Sequence, residues 1–193
     1  MTSSTDHWVL TLVCHDRPGI VHAISGAILA GGGNITESHQ YSSNDTGRFF
    51  MRLQVEAAVD RAKFESLIRP IAEDLGAEWA LDTVGRPMKT LLLVSKAGHA
   101  LGDLLYRQRS GQLPIEVPAV FGNHSDLGSL AEFYSVPFET HPITTDAEKR
   151  AFEQMLRTFI KATGIELIVL ARFMQILTPE FCDEFAGRII NIH

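Results

Sequence analysis

The length, composition and charge of this chain indicate a globular protein and exclude several classes of function. Its 193 residues are enough for one large domain or two small ones. Hydrophobic residues make up 45% of the chain and charged residues 21%, a balance too apolar for a disordered protein. The net charge of −6 at pH 7 argues against a nucleic-acid-binding protein, because no basic surface is available to neutralise phosphates.

The terminal segment, the apolar runs and the cysteines together predict a cytoplasmic location. Residues 1–8 lack a basic segment followed by an apolar core, so they predict no secretion signal. No apolar run of the sequence approaches the roughly 18 residues that a membrane helix requires. Cys14 and Cys182 lie within apolar segments and share no CxxC spacing. We expect both to be buried thiols in a reducing compartment, with a catalytic thiol as the alternative.

Residues 1–84 show the pattern of a small α+β domain. Strands are predicted at 8–14, 34–42, 49–55 and 77–83, and helices at 20–30 and 64–75. In the third strand, apolar residues occupy every second position from Phe49 to Val55, which predicts one buried face. The order βαββαβ predicts a ferredoxin-like domain, in which helices cover one face of an antiparallel sheet.

A turn containing proline and glycine follows the first predicted strand. The sequence Asp16-Arg17-Pro18-Gly19-Ile20, with Gly-Gly-Asn-Ile at 32–35, resembles the DRPGI-type turn of ACT domains. Asp16 is suited to cap the next helix, and the free amides at a helix start suit a carboxylate. The resemblance implies an amino-acid effector bound by Asp16, Pro18, Gly19 and Asn34, and a homo-oligomer. The alternative is a purely structural turn that Asp16 caps.

After a linker at 85–89, the strands of residues 90–193 change character. The segments 90–95 and 167–171 are continuous apolar runs, which is typical of parallel strands buried on both faces. Further strands are predicted at 116–121 and 188–193, and helices at 101–110, 126–134 and 147–163. The fold class is therefore α/β: a ferredoxin-like domain of the ACT type, followed by a partial doubly wound, Rossmann-like domain. Because the chain stops on a predicted strand, we expect this second domain to be incomplete.

The last predicted strand carries two polar residues suited to catalysis. Asn191 and His193 are two positions apart, so their side chains point to the same side of a strand. They lie at its carboxyl end, where open α/β sheets bind their ligands. A carboxamide can donate a hydrogen bond to a developing oxyanion, and an imidazole exchanges protons near neutral pH. The pair alone is a weak signal, since solvated polar residues also end strands.

The surrounding sequence makes that signal specific. The segments LIVLARFMQIL at 167–177, TPEF at 178–181 and GRIINIH at 187–193 resemble the formyltetrahydrofolate deformylases. Glycinamide ribonucleotide formyltransferases show a looser version. The resemblance implies hydrolysis of 10-formyltetrahydrofolate to tetrahydrofolate and formate, with Asn191 and His193 as catalytic residues and no cofactor beyond the folate substrate. In this family an aspartate further along orients the histidine, so we expect this chain alone to be an inactive fragment.

The loop after the strand at 167–171 has two interpretations. It consists of Phe173, Met174, Gln175, Ile176 and Leu177. By resemblance, its backbone holds the pterin ring of the folate, and an apolar loop at the carboxyl end of a strand suits a flat heterocycle. The alternative is that the loop only packs on the core.

Two further loops follow strands of the second domain. Ser95, Lys96 and His99 match the SKxxH pattern of the deformylases, where the ribonucleotide formyltransferases have a glycine- and serine-rich phosphate-binding loop. Because a phosphate nest needs free amides, this difference favours water over a phosphorylated amine as the formyl acceptor. These residues contact an anion or substrate, or form a solvated loop. In the second loop, 122–127, we expect Ser125 or Asp126 to cap the next helix.

Two other functions stay open at this point. The first is an ACT-fused formyltransferase that passes the formyl group to an amine. The second is a non-catalytic module that senses an amino acid. The histidines are scattered without metal-ligand spacing, so we predict no metal. For the deformylase, the expected role is to balance one-carbon pools and supply formate for purine biosynthesis.

Overall fold

The computed structural model describes residues 6–193. The prediction that residues 1–8 hold no secretion signal therefore falls mostly outside the described residues. The chain divides into two compact units, which meet in sequence between Arg86 and Pro87. Within residues 6–193, no helix combines the length and apolarity needed to cross a bilayer.

The first unit is built around a four-stranded antiparallel sheet. Its elements are β1 (Asp6–His15), α1 (Ile20–Ala30), β2 (Asn34–Ser43), β3 (Arg48–Ala57), α2 (Arg61–Asp74) and β4 (Glu78–Thr83). The strands are ordered β2-β3-β1-β4, and each neighbouring pair is antiparallel. The predicted ferredoxin-like order is confirmed.

One face of this sheet holds the core of the first unit. Along β3, Phe49, Met51, Leu53 and Val55 are buried. They pack with Ile24 of α1 and Phe64 of α2 in one hydrophobic cluster. Phe50, on the other face of β3, stays exposed. The alternation of apolar residues along β3 therefore determined which face is buried, because each fully buried Leu, Ile or Phe side chain contributes about 1.5–3 kcal/mol to the stability of the fold.

The start of α1 differs from its predicted form. Gly19 is its N-cap, with φ of 96°, and no side chain caps the helix. Asp16 therefore does not cap α1, because two residues separate it from the N-cap position. Its backbone N–H donates to Gly47 O at 2.9 Å instead. The left-handed conformation requires glycine at position 19, since a Cβ would be strained there.

The second unit contains a parallel sheet with helices on both faces. Its elements are β5 (Met88–Val94), α3 (His99–Arg109), β6 (Ile115–Glu116), β7 (Val120–Gly122), α4 (Gly128–Phe133), β8 (Phe138–Thr140), α5 (Asp146–Thr163), β9 (Leu167–Ala171), α6 (Pro179–Glu184) and β10 (Ile189–Ile192). The order is β10-β9-β5-β7-β8, with β6 beside β5. Every pair is parallel. One cluster packs beneath α5 and α6 and another beneath α3 and α4, which confirms the doubly wound arrangement.

Several boundaries in the second unit depart from the predictions. The strand expected at 116–121 is divided into β6 and β7, and Pro118 lies between them. Proline lacks the N–H that a continuous ladder requires, which explains the division. The short β8 was not predicted. Leu127 is the N-cap of α4 without a side-chain hydrogen bond, so neither Ser125 nor Asp126 caps this helix.

The two cysteines have different environments. Cys14 is buried in the first unit, and burial raises the pKa of its thiol. Cys182 is exposed, so the prediction that both thiols are buried is wrong for this one. On α6, the buried residue is Phe181, and Phe185 follows four positions later on the same face. Because Phe181 and Phe185 share the buried face of α6, Cys182 lies on the exposed face.

Candidate functional site

The candidate site lies where three parallel strands end. Asn191 of β10 is paired with Leu170 of β9, and Leu170 is paired with Leu93 of β5. Because parallel strands present their carboxyl ends at one edge, the loops that follow β5 and β9 and the residue that follows β10 meet there.

Asn191 and His193 line one concave cavity at this edge. Its volume is about 350 Å³. The remaining lining residues come from the loop after β9 and from its neighbours: Leu170, Phe173, Met174, Gln175, Ile176, Leu177, Cys182 and Ile189. The structure therefore brings together the two proposed catalytic residues and all five residues of the predicted folate loop. The side chains of the lining include no aspartate, glutamate, lysine or arginine, so they suit a largely uncharged ligand.

A sharp turn at Arg172 directs the loop over the cavity. Arg172 adopts a left-handed conformation with φ of 59°, which is uncommon for a residue other than glycine. Its backbone N–H donates to Ile192 O at 3.1 Å, so the turn is joined to the end of β10. Such a conformation costs about 1–2 kcal/mol. Backbone strain of this kind is often found beside functional sites.

The two interpretations of the loop apply to different residues. Phe173 is only 6% exposed, and its ring lies 6.0 Å from that of Phe152 on α5. This residue belongs to the core. Met174 is 58% exposed and Ile176 is 82% exposed. Both expose apolar side chains to solvent at the cavity, which is unfavourable in the free protein. These side chains are therefore available to contact a ligand.

Ser95 lies beneath this loop. It is 3% exposed, and its Oγ donates to Asn123 Oδ1 at 2.7 Å. The same Oγ accepts a hydrogen bond from the Met174 backbone N–H at 2.9 Å. The predicted contact residue therefore positions the loop. Lys96 and His99 are exposed and do not belong to the lining of the cavity.

One residue of this region was missed in the sequence. Glu153 of α5 is 2% exposed, and its carboxylate contacts Thr178 at the end of the loop. The only signal was its position next to Phe152, at the edge of the apolar stripe of an otherwise amphipathic helix. A glutamate at the edge of such a stripe is usually exposed, so the pattern predicted a surface residue.

Ion pairs secure α6 beside the cavity. Arg157 Nε of α5 donates to Glu184 Oε2 at 2.6 Å, and Lys161 Nζ lies 3.2 Å from Glu184 Oε1. The hydrogen bond from Arg157 is the largest cause of a lowered pKa at Glu184. These contacts join the two helices that flank the loop. Among residues 6–193, no cluster of three potential metal ligands is found.

The four proposed effector residues are not brought together within the first unit. Asp16, Pro18 and Gly19 are exposed at the end of β1, where His15 is paired with Arg48. Asn34 begins β2 opposite Glu56, at the other end of β3. Roughly eight residues of strand separate the two ends, or about 26 Å at ~3.3 Å per residue. A single site within one unit cannot include Asn34 and the turn.

Comparisons with known proteins agree on one family. The formyl transferase family model matches residues 88–193. A formyltetrahydrofolate deformylase of Corynebacterium sp. (strain P-1) is 42% identical over 190 residues, covering 96% of this chain and 65% of that relative. The crystal structure of a formyltetrahydrofolate deformylase from Pseudomonas putida KT2440 has a TM-score of 0.86 at 36% identity, covering 97% of this chain and 68% of that one. The corresponding structure from Burkholderia mallei ATCC 23344 has a TM-score of 0.87 at 34% identity, covering 97% and 67%. The chain thus spans 65% of the length of the curated Corynebacterium relative.

Proposed function

The chain belongs to the formyltetrahydrofolate deformylase family, and from that premise we propose that it provides catalytic and folate-binding groups for hydrolysis of 10-formyltetrahydrofolate to tetrahydrofolate and formate. The observation that carries the proposal is the cavity shared by Asn191, His193 and the loop 173–177. No cofactor is required, because the folate itself is the substrate.

In this proposal, Asn191 and His193 have different chemical roles. Water adds to the formyl carbon, and the carbonyl oxygen becomes an oxyanion. The Asn191 carboxamide N–H donates to that oxygen as its charge develops. His193 accepts a proton from the attacking water and returns one to N10 of the folate, so that the C–N bond breaks and formate leaves. Both side chains are exposed to the cavity, which gives them access to water and substrate.

The loop supplies the folate-binding surface in this proposal. The backbone of Met174 to Leu177 meets the polar edge of the pterin ring, and the exposed side chains of Met174 and Ile176 cover its faces. The uncharged side chains of the lining support this assignment, since the pyrimidine part of the reduced pterin is a flat and neutral heterocycle.

Hydrolysis is favoured over transfer to a phosphorylated amine by the loop after β5. Gly98 is its only glycine, and α3 begins immediately afterwards at His99. A phosphate nest would require several consecutive free amides, which glycines usually provide. Lys96 and His99 stay candidate contacts for an anionic group of the substrate, because both are exposed.

For the first unit, we propose an ACT-type regulatory role with an amino-acid effector. The exposed turn of Asp16, Pro18 and Gly19 precedes α1, whose first amides suit a carboxylate. Asn34 lies at the far end of the sheet, so a site that used it as well would need a second copy of the chain. The homo-oligomer is therefore part of this proposal.

The proposed cellular role follows from the products of the reaction. Formate release balances the one-carbon pool and supplies formate for purine biosynthesis. A cytoplasmic location is supported by Cys14 and Cys182, which form no disulfide with each other.

The experiment that tests the function is formate release from 10-formyltetrahydrofolate by the full-length gene product. Formate without any amine supports hydrolysis, whereas product formation only with an amine would support a formyltransferase. Amino-acid binding without folate binding or turnover would support a sensing module instead. The same assay on residues 1–193 alone tests the expectation that they form an inactive fragment.

A further inference from the structure

Glu153 is a buried acidic residue that the proposed reaction does not use. It is 2% exposed on α5, among the buried residues Phe152, Leu156 and Ile160 of that helix. Within residues 6–193, it forms no ion pair with a lysine, arginine or histidine. Burial of a carboxylate is costly unless hydrogen-bond donors satisfy it. The partners of Glu153 therefore indicate why the fold keeps an acid at this position.

Both of its partners belong to Thr178. Glu153 Oε1 accepts a hydrogen bond from the Thr178 backbone N–H at 2.7 Å, and Oε2 accepts one from Thr178 Oγ1. Thr178 is also the N-cap of α6, and its Oγ1 accepts from the Phe181 backbone N–H at 3.3 Å. The carboxylate thus holds the residue at which the folate loop ends and α6 begins.

Ser95 holds the opposite end of the same loop. Its Oγ accepts from Met174 N–H at 2.9 Å and donates to Asn123 Oδ1 at 2.7 Å. Ser95 and Asn123 are both buried, like Glu153. Three elements that are distant in sequence, the ends of β5 and β7 and the helix α5, therefore fix the loop from below. None of these polar groups lines the cavity itself.

Among the residues between these two anchors, Leu177 alone packs against the core of the unit. Met174 and Ile176 are exposed, and Gln175 is half-buried. A segment in which a single side chain packs keeps one conformation only if its ends are held as well. A binding loop that is ordered before the ligand arrives loses less conformational entropy on binding, which raises affinity.

We propose that Glu153 is a positioning residue, which acts through Thr178 to hold residues 174–177 in the conformation that binds the folate heterocycle. The proposal rests on the proposed function for the identity of the ligand. It places the effect of Glu153 on folate affinity and leaves the chemistry to Asn191 and His193. A residue that only joins α5 to α6 would alter stability without altering affinity.

The test compares Glu153→Ala with the conservative Glu153→Gln in the full-length gene product. The glutamine oxygen still accepts from Thr178 N–H, and its amide can donate to Thr178 Oγ1. We expect Glu153→Ala to raise KM for 10-formyltetrahydrofolate and Kd for tetrahydrofolate by about 10-fold, with kcat within about 3-fold. Glu153→Gln should keep all three values within about 3-fold of the unmodified protein. Thr178→Ser, which keeps the hydroxyl for both Glu153 and the N-cap of α6, should behave like Glu153→Gln, and Thr178→Val, which removes the bond to Glu153 Oε2 together with the N-cap bond from Phe181 N–H, should raise KM.

A matched control separates positioning from loss of stability. Ile160→Ala removes a buried side chain two turns further along the same helix, and it breaks none of the hydrogen bonds that hold the loop. It should lower the melting temperature at least as much as Glu153→Ala, but leave KM unchanged. Unchanged folate affinity in Glu153→Ala, or an equal rise of KM in Ile160→Ala, would overturn the proposal.

Hydrogen exchange tests the positioning role of Glu153 without any folate. Glu153→Ala should speed amide exchange at residues 174–178 more than Glu153→Gln does, while Ile160→Ala leaves those amides protected. If the unmodified protein neither binds tetrahydrofolate nor releases formate, the proposed function fails and the ligand named here falls with it. Faster loop exchange would then still assign the positioning role to Glu153, and unchanged exchange would reject it.

Discussion

The loop at residues 172–178 and the turn at residues 16–19 both connect a strand to the next helix, yet they are held in different ways. Buried polar groups from other elements hold the loop, through Ser95 to Met174 and through Glu153 to Thr178. The turn is exposed throughout, and the helix after it begins without a side-chain cap.

This difference shows two ways in which a chain can hold a segment that is a candidate for ligand binding. In the second unit, side chains that are far apart in sequence impose the conformation, so the cavity is formed before a ligand is present. In the first unit, the turn depends on the positive φ of Gly19, and its contacts with distant residues are exposed: Arg17 pairs with Asp74, and Asp16 N–H donates to Gly47 O. We therefore expect substitutions in the loop region to alter catalysis and stability strongly, and substitutions in the turn to have small effects.

The largest expected effect is at the chemical centre of the loop region. His193→Ala and Asn191→Ala should each lower kcat for formate release by roughly 10²–10⁴-fold, because one removes the proposed acid–base group and the other the proposed oxyanion donor. The measurement is steady-state formate production by the full-length gene product. His22→Ala, an exposed histidine of α1, is the control and should retain full activity. Retained activity in His193→Ala would remove the chemistry from this cavity.

The next effect compares the two regions directly. Ser95→Ala leaves Met174 N–H without its acceptor and Asn123 Oδ1 without its donor. We expect a loss of about 1–3 kcal/mol in the free energy of unfolding. Asp16→Ala, in the exposed turn, should change it by less than about 0.5 kcal/mol. Urea unfolding followed by far-UV circular dichroism measures both, and equal losses would contradict the contrast between the two regions.

Backbone conformation provides a smaller effect. Gly19→Ala adds a Cβ that meets no atom within 4 Å, so its cost is the strain of a positive φ alone, about 1 kcal/mol. Trp8 and Trp79 both lie in the first unit, so tryptophan fluorescence follows the unfolding of that unit. Arg172→Gly, at the left-handed residue of the loop, should keep the free energy of unfolding within about 1 kcal/mol of the unmodified chain, as measured by urea unfolding followed by far-UV circular dichroism, because the relief of backbone strain is offset by the greater entropy of the unfolded chain. An unaffected Gly19→Ala variant would show that the turn can adopt another conformation.

The smallest effect concerns the capping box at the start of α5. Hydrogen bonds from the Thr144 side chain and from the backbone of Thr144 and Thr145 lower the pKa of Glu148, in the capping box of α5, to about 2. Because the folded pKa lies below the ordinary 4.5, this stabilisation is present above pH 4.5 and is lost as the pH falls to about 2.

The corresponding variant is Glu148→Gln. Its stability deficit should therefore shrink as the pH is lowered from about 4.5 to about 2, as measured by urea midpoints across that range. Thr145→Ala, which removes the N-cap hydroxyl, should be destabilised by about 1 kcal/mol and serves as the comparison. A deficit of Glu148→Gln that stays constant across this range would contradict the assigned hydrogen bonds.

Much of the fold could be predicted because its signals are local. Alternation in β3 and continuous apolar runs in β5 and β9 follow directly from whether one or both faces of a strand are buried. The spacing of Asn191 and His193 likewise predicted that both side chains would share one side of the sheet edge. The division at Pro118 could have been predicted from the missing N–H of proline.

Other features depend on partners that are distant in sequence. The exposure of Cys182 depends on which face of α6 the core accepts, and the separation of Asn34 from Asp16 depends on strand pairing. The role of Ser95 depends on Met174, which lies 79 positions away, and that of Glu153 on Thr178, which lies 25 positions away.

The sequence by itself determined the main elements of both units and the buried faces of their strands, because periodicity is a local property, and its resemblance to a known family named the candidate catalytic residues. Only the tertiary structure decided which polar residues are buried and what they hold. A buried hydrogen bond joins groups that only folding brings together, so the spacing of the two residues along the chain does not predict it.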